Sequence, residues 1–173
     1  PLRNPYIFEC LNYLRNYKMP EIHIHTNGGM NGPQFFAELA ECLKPFPFPT
    51  HVVFSIDGLE DTNHLYRRNV QWHKVMENAK AFIDAGGLAR WRMLVFKHNA
   101  HQLAEAEQLS KDMGFGAFDI NGGYTFTAID SVVNEAMEKF KASKKDTART
   151  IKYEKKHLDN VKRVEGLLEK GFD

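Results

Sequence analysis

The stretch VVFSIDGLEDTNHLYRR, Val52 to Arg68, decides how this chain is read. It opens as an apolar, β-branched run, the pattern of a buried strand. It then turns abruptly polar: Ser55, Asp57, Gly58, the carboxylates Glu60 and Asp61, His64, and the arginines Arg67 and Arg68. In parallel α/β proteins ligands bind beyond the C-terminal ends of the strands, so a core strand with such an end points to that class. Asp61 and Thr62 also suit the approach to a helix starting near Val70, because short polar side chains favour helix entries.

The neighbouring segments fit the same class. Upstream, Asn4-Pro5 reads as a helix start, and Ile7, Phe8, Leu11 and Leu14 recur at helical spacing to about Tyr17. In MPEIHIHTNGG, Ile22 and Ile24 alternate as a strand that breaks at Asn27-Gly28-Gly29, and Gln34 to Leu43 follows as a helix. Downstream, Val70 to Ala85 is a helix with Val75, Ala79, Phe82 and Ile83 on one face and Gly86-Gly87 as its stop. ARWRMLVFKHN is a third strand, His101 to Met113 a helix ending at Gly114, and GAFDI a fourth strand. Alternating strands and helices with short connections predict parallel pairing, and both an open doubly wound sheet and part of a barrel satisfy that order. Trp72, Trp91, Phe46 and Phe48 read as core or helix-packing residues.

The strand ends read Thr26-Asn27-Gly28-Gly29, Ser55-Ile56-Asp57-Gly58, Lys97-His98-Asn99 and Asp119-Ile120-Asn121-Gly122-Gly123. Each strand body is apolar and each end is polar or glycine-rich, which predicts one shared mouth. Turn chemistry favours the same residues and is the plainer account of any one end. Glycines at 28, 29, 58, 122 and 123 permit positive φ and close approach to a ligand. Thr26 and Ser55 offer hydroxyls, and Arg67 and Arg68 suit a carboxylate. The set fits a ligand with a carboxylate, an amine and a ribose. Phosphate-cradling GxGxxG and GxxxxGK[ST] spacings are absent, as is a GxSxG elbow.

His23 and His25 form an HxH pair whose rings share one side of a strand, an arrangement used by barrel-type metal hydrolases. Asp57 and His98 are candidates to complete a divalent site. The alternation of Ile22 and Ile24 accounts for the same histidines as ordinary polar-face residues. His98 and His101 flank a loop and are candidates for a loose metal pair, with surface histidines the plainer reading.

With 23 basic and 22 acidic residues in 173, the net charge is +1, which gives no electrostatic case for nucleic acid or an anionic membrane. No apolar run approaches the roughly 20 residues of a membrane span, and no signal peptide is visible, so a cytoplasmic protein is expected. Cys10 and Cys42 are expected to be buried thiols; by themselves they make no zinc or iron–sulfur site. The starting PLRNP and the closing LLEKGFD read as cut ends. Residues 1–126 form the expected core. Residues 127–173 form a charged segment: helix-like from Ser131 to Phe140, then a solvated linker.

SIDGLEDTNHLYRRNVQWHKVMENAKAFIDAGG resembles the fourth-strand region of radical S-adenosylmethionine enzymes. IHIHTNGG is similar to their third strand with its TNG turn, and WRMLVFKHNAHQLAEAEQLSKDMGF to the fifth strand and helix. PLRNPYIFECLNYL resembles the segment after the family's GGE/GGD-P motif. The likeness covers Pro1 to Phe118, in the family's order. The CxxxCxxC loop that holds the family's four-iron, four-sulfur cluster is absent, as are the first strand and the GGE motif.

The resemblance implies an α/β fold, the later units of a partial (β/α)6 barrel of TIM type with parallel strands. It is truncated at the N-terminus and followed by a helical linker toward a C-terminal domain of the SPASM or twitch kind. It implies a parent enzyme that cleaves S-adenosylmethionine with an electron from a reductase. The deoxyadenosyl radical then abstracts hydrogen from an unknown substrate, peptides among the candidates. By position in the motifs, Ser55 and Arg67 would contact the cofactor, Arg67 through its carboxylate. Thr26 and Asn27 would line the cofactor or substrate side, and Asn99 would sit near the adenosine. Asp57 would brace the turn after Ser55. A metal-dependent hydrolase using His23 and His25, or a non-catalytic binding module of the same fold, are the alternatives.

Overall fold

The computed structural model describes residues 1–122 and 131–144. The elements run α1 (Ile7–Leu14), β1 (Ile22–Thr26), α2 (Pro33–Leu43), β2 (Thr50–Ser55), α3 (Asn63–Tyr66), α4 (Trp72–Asp84), β3 (Leu88–Val95), a 3-10 turn (Ala100–Gln102), α5 (Leu103–Met113), β4 (Ala117–Gly122) and α6 (Ser131–Lys144). The chain forms two compact units, Pro1–Met137 and Glu138–Asp173. Gly123 and the tail from residue 145 lie outside the described residues. Among the described residues no helix is long and apolar enough to cross a membrane.

Local chemistry sets the helix limits. Pro33 opens α2 after an extended Gly32, a position where proline's missing N–H costs nothing. Gly86 and Gly114 end α4 and α5 at φ of 86° and 93°, the left-handed geometry that glycine adopts most easily. α1 begins two residues later than Asn4-Pro5 suggests. The Asn4 side chain accepts the Tyr6 N–H at 3.0 Å, which makes a local turn ahead of the helix. The sequence shows no sign of α3, a single turn closed by the Arg67 N–H on the Asn63 carbonyl at 2.8 Å.

The strands pair in parallel in the order β1-β2-β3-β4. Register aligns Ile24 with Val52, Phe54 with Trp91, and Trp91 with Phe118. Because side chains alternate, these residues share one face with Met93 and Val95. Val52, Phe54, Trp91, Met93 and Val95 have no exposed surface. Phe36 of α2, Phe82 of α4 and Phe115 beyond α5 pack on Phe54, with ring centroids 5.6, 6.1 and 5.9 Å away. The helices between the strands therefore cover this face.

The same register puts His23, His25, His51, Ser55, Arg90, Arg92 and Asp119 on the other face. The described strands show no reversal of order, the defining feature of a doubly wound sheet. They establish a four-stranded parallel α/β sheet.

The cysteines depart from expectation. Cys10 is exposed and Cys42 half-buried, both as free thiols. α1 buries only Ile7 and Leu11, and α2 buries Phe36, Leu39, Ala40 and Leu43, so neither thiol lies on a buried stripe. Trp91 and Phe46 are core residues.

Phe54→Ala removes the ring on which Phe36, Phe82 and Phe115 converge. Its expected cost is about 3–5 kcal/mol, read as a lower urea midpoint at unchanged slope. An unchanged midpoint would contradict this packing.

Candidate functional site

At the C-terminal edge of the sheet, Asp57 follows β2 by two residues and is fully buried. Its Oδ1 accepts the Leu94 N–H at 2.7 Å, extending the β2–β3 ladder through a side chain. Its Oδ2 accepts from Nε of Arg67. Its own N–H donates to Oδ1 of Asn63 at 2.9 Å, and its carbonyl accepts from Nδ2 of Asn99 at 2.9 Å. A buried carboxylate persists only with such partners. One residue thus ties β2, β3, α3 and the loop after β3 together.

Gly58 makes the turn possible. Its φ is +135°, and a Cβ there would lie 2.1 Å from the Thr62 hydroxyl oxygen. Thr62 donates its hydroxyl to Oε1 of Gln102, which also accepts the Leu59 N–H at 3.1 Å, while Nε2 of Gln102 donates to Asp61 at 2.7 Å. The loop Leu59–Thr62 is held against the start of α5.

The five residues singled out in the sequence occupy unlike positions. Ser55 is half-buried on the polar face beside Arg92, and its hydroxyl has no partner among the described residues. Arg67 uses Nε on Asp57 and its side chain is 25% exposed. Its terminal nitrogens have no hydrogen bond among the described residues. Thr26 is aligned with Phe54 and so belongs to the opposite face from Ser55. Its hydroxyl accepts the Gly28 N–H at 3.1 Å, and Asn27 accepts the Gly29 N–H at 3.2 Å. Asn99 is fully buried. Its Nδ2 donates to the carbonyls of Asp57 and Leu94, and its Oδ1 accepts the Phe96 N–H at 2.7 Å. Asn99 is thus a brace of the loop, its amide committed to backbone.

Glycine takes positive φ at 28 and 58 but not at 29. At Gly28 a Cβ would meet Val75 at 2.9 Å, and its carbonyl accepts from Nδ2 of Asn78 at 2.7 Å. The TNG turn is thereby fixed to α4.

Sequence reasoning missed the arginines of β3. Arg90 grips Asp119 through Nε and a terminal nitrogen, both at 3.0 Å. Arg92 lies beside Ser55 in register, with a buried Nε that has no hydrogen-bond partner. In LARWRMLV the alternate positions Ala89, Trp91, Met93 and Val95 are all buried, and that spacing was the signal that both arginines share the other face.

The hydrolase set is not assembled. The His23 and His25 ring centroids are 6.4 Å apart. Asp57 is committed to Leu94 and Arg67 at the strand ends, and His98 stacks on Phe96 with centroids 5.3 Å apart. Burial, followed by Arg92 and His23, pushes the His25 pKa down. An iron–sulfur cluster does not fit either. It requires several thiolates, whereas the sequence has two cysteines, placed on α1 and α2 away from the strand ends.

No protein-family model matches the chain, and no curated protein matches its sequence. Solved structures do. The crystal structure of Streptococcus suis SuiB superposes with a TM-score of 0.62 at 17% identity, over 83% of this chain and 35% of SuiB. The structure of SuiB bound to S-adenosylmethionine gives 0.60 at 17% identity, over 82% of this chain and 33% of that one. At that identity the likeness is one of fold. The chain spans about a third of SuiB's length.

The Asp57 carboxyl is pushed up from its ordinary value of 3.8, chiefly by burial, while the Leu94 N–H and Arg67 pull it down by less. A raised native pKa means the folded state binds the proton more tightly. The associated stability is present below the unfolded pKa and is lost as pH rises through the native one. Wild-type stability relative to Asp57→Asn should therefore fall as pH rises from 3.8 through the raised native pKa, then level off. Urea titrations across that interval measure it. A relative stability that grows with pH would mean that Arg67 and Leu94 outweigh burial.

Proposed function

We propose that this chain is part of a radical S-adenosylmethionine enzyme and that the C-terminal edge of its sheet holds S-adenosylmethionine. The observation that carries this reading is the way Asp57 holds Arg67 by Nε alone. The rest of the guanidinium remains for a carboxylate, on the same short segment as the unpartnered Ser55 hydroxyl. The fold shared with SuiB, one of whose structures contains S-adenosylmethionine, supports it, as does the order of the sequence motifs.

In this proposal Arg67 pairs with the carboxylate of the cofactor's amino-acid portion, the interaction guanidinium geometry serves best. Ser55 hydrogen-bonds the amino-acid or ribose part. Thr26 and Asn27 shape the neighbouring turn through the N–H groups they already accept. Asn99 acts from beneath, by holding the loop that follows β3. The four strands belong to a partial (β/α)6 barrel, with the polar sheet face turned inward.

The electron that cleaves S-adenosylmethionine in such an enzyme would come from a four-iron cluster held outside this chain and fed by a reductase. The cluster's ligands are cysteines that this sequence does not contain. This chain's part is to bind and orient the cofactor, and the hydrogen donor is unassigned.

Titration calorimetry of the purified chain with S-adenosylmethionine tests the reading. One equivalent should bind, with Arg67→Ala about tenfold weaker and Ser55→Ala a few-fold weaker, as expected for a charge-assisted and a neutral hydrogen bond. Equal affinity in wild type and both variants would refute the assignment, as would no binding by the folded wild type.

A further inference from the structure

At the opposite, N-terminal edge of the sheet lies a second group of ligating side chains. His23 and His51 are each the second residue of their strand and are paired directly in register. Parallel neighbours lie about 4.8 Å apart, and alternation turns both imidazoles to the polar face. Their ring centroids are 5.2 Å apart, nearly perpendicular at 87°. Glu21, just before β1, brings Oε2 to 3.3 Å from Nε2 of His23. One ligating atom from each of Glu21, His23 and His51 lies within 4.8 Å of the other two.

We propose that Glu21, His23 and His51 form a binding site for one zinc ion. Tetrahedral zinc with ligand bonds of about 2.1 Å holds its donor atoms about 3.4 Å apart. The Glu21–His23 pair already has that spacing, and rotation of the exposed Glu21 and of the two rings closes the rest.

A second observation supports the assignment. Nε2 of His23 is buried and has no hydrogen-bond partner, although the Glu21 carboxylate is beside it. Buried polar atoms are almost always satisfied, and a metal ion between carboxylate and imidazole satisfies this one. Charge is consistent as well. Arg90, whose charge acts on His51, is held by Asp119.

His25 stays outside the group, so the HxH spacing names the wrong partner. The second histidine comes from the neighbouring strand. Two imidazoles and one carboxylate leave a coordination position open for water or a ligand, as catalytic zinc sites do. The site is separate from the strand ends assigned to S-adenosylmethionine and stands or falls independently of that reading.

The test is calorimetry of the chelator-treated chain with Zn2+, together with the visible spectrum of Co2+ in its place. The expected result is one equivalent of zinc and a cobalt spectrum of four- or five-coordinate intensity. His23→Ala and His51→Gln should each weaken binding by about tenfold or more, with circular dichroism confirming the fold. Exposed Glu21→Gln should weaken it as well, and the double variant His98→Ala/His101→Ala should retain it. If a histidine variant unfolds, Glu21→Gln and the wild-type cobalt spectrum decide. Absence of stoichiometric zinc, a weak solvent-like cobalt spectrum, or affinity that survives at Glu21, His23 and His51 but is lost at His98 and His101 would overturn the proposal.

Discussion

A buried carboxylate must be surrounded by donors, and around Asp57 this requirement organises the ligand edge of the sheet. Its two oxygens take a backbone N–H from β3 and the guanidinium of Arg67, and its own peptide group is held by Asn63 and Asn99. The path of the chain from Ser55 to Arg67 is therefore set by one side chain, with Gly58 supplying the conformation that lets it turn. Trp91 adds a tie in the core, donating its indole N–H to the Ile56 carbonyl at 2.9 Å.

The sheet has two faces and two ends with separate tasks. The aromatic face carries the helices through Phe54 and Trp91. The polar face collects histidines, arginines, Ser55 and Asp119, which no packing requirement would select. At its C-terminal end that face meets the segment fixed by Asp57, where a carboxylate-bearing ligand can be gripped. At its N-terminal end two histidines and a glutamate converge. Between them lies the Arg90–Asp119 ion pair. Stability thus comes from one side of the sheet and the candidate chemistry from the other.

The order and type of the strands and longer helices were legible in the sequence, because period and punctuation are local. The alternation in β3, the stripe of α4 and the stops at Gly86 and Gly114 each lie within a few residues. The polar ties were not legible. Asn78 shares the buried face of α4 with Val75, Ala79 and Phe82, but nothing local names its partner, the carbonyl of Gly28, fifty positions away in sequence. Asn99 reads as a ligand contact but spends its amide on backbone. Asp57 reads as a turn brace, and its grip on Arg67 depends on α3, a single turn with no periodicity to reveal it. Cys10 reads as buried because free cysteine usually is, but α1 buries too narrow a stripe to include it. The histidine pair was visible only along one strand, whereas the pairing that matters runs across two.

The central claim is that the C-terminal edge around Ser55 and Arg67 is where S-adenosylmethionine binds. Backbone amide chemical shifts, recorded while the cofactor is titrated into the chain, map that edge most directly. The account predicts saturable shifts concentrated at residues 26–29, 55–58 and 63–67, with the N-terminal edge at Glu21, His23 and His51 unmoved. Saturable shifts centred elsewhere, or none at all in the folded chain, would contradict it.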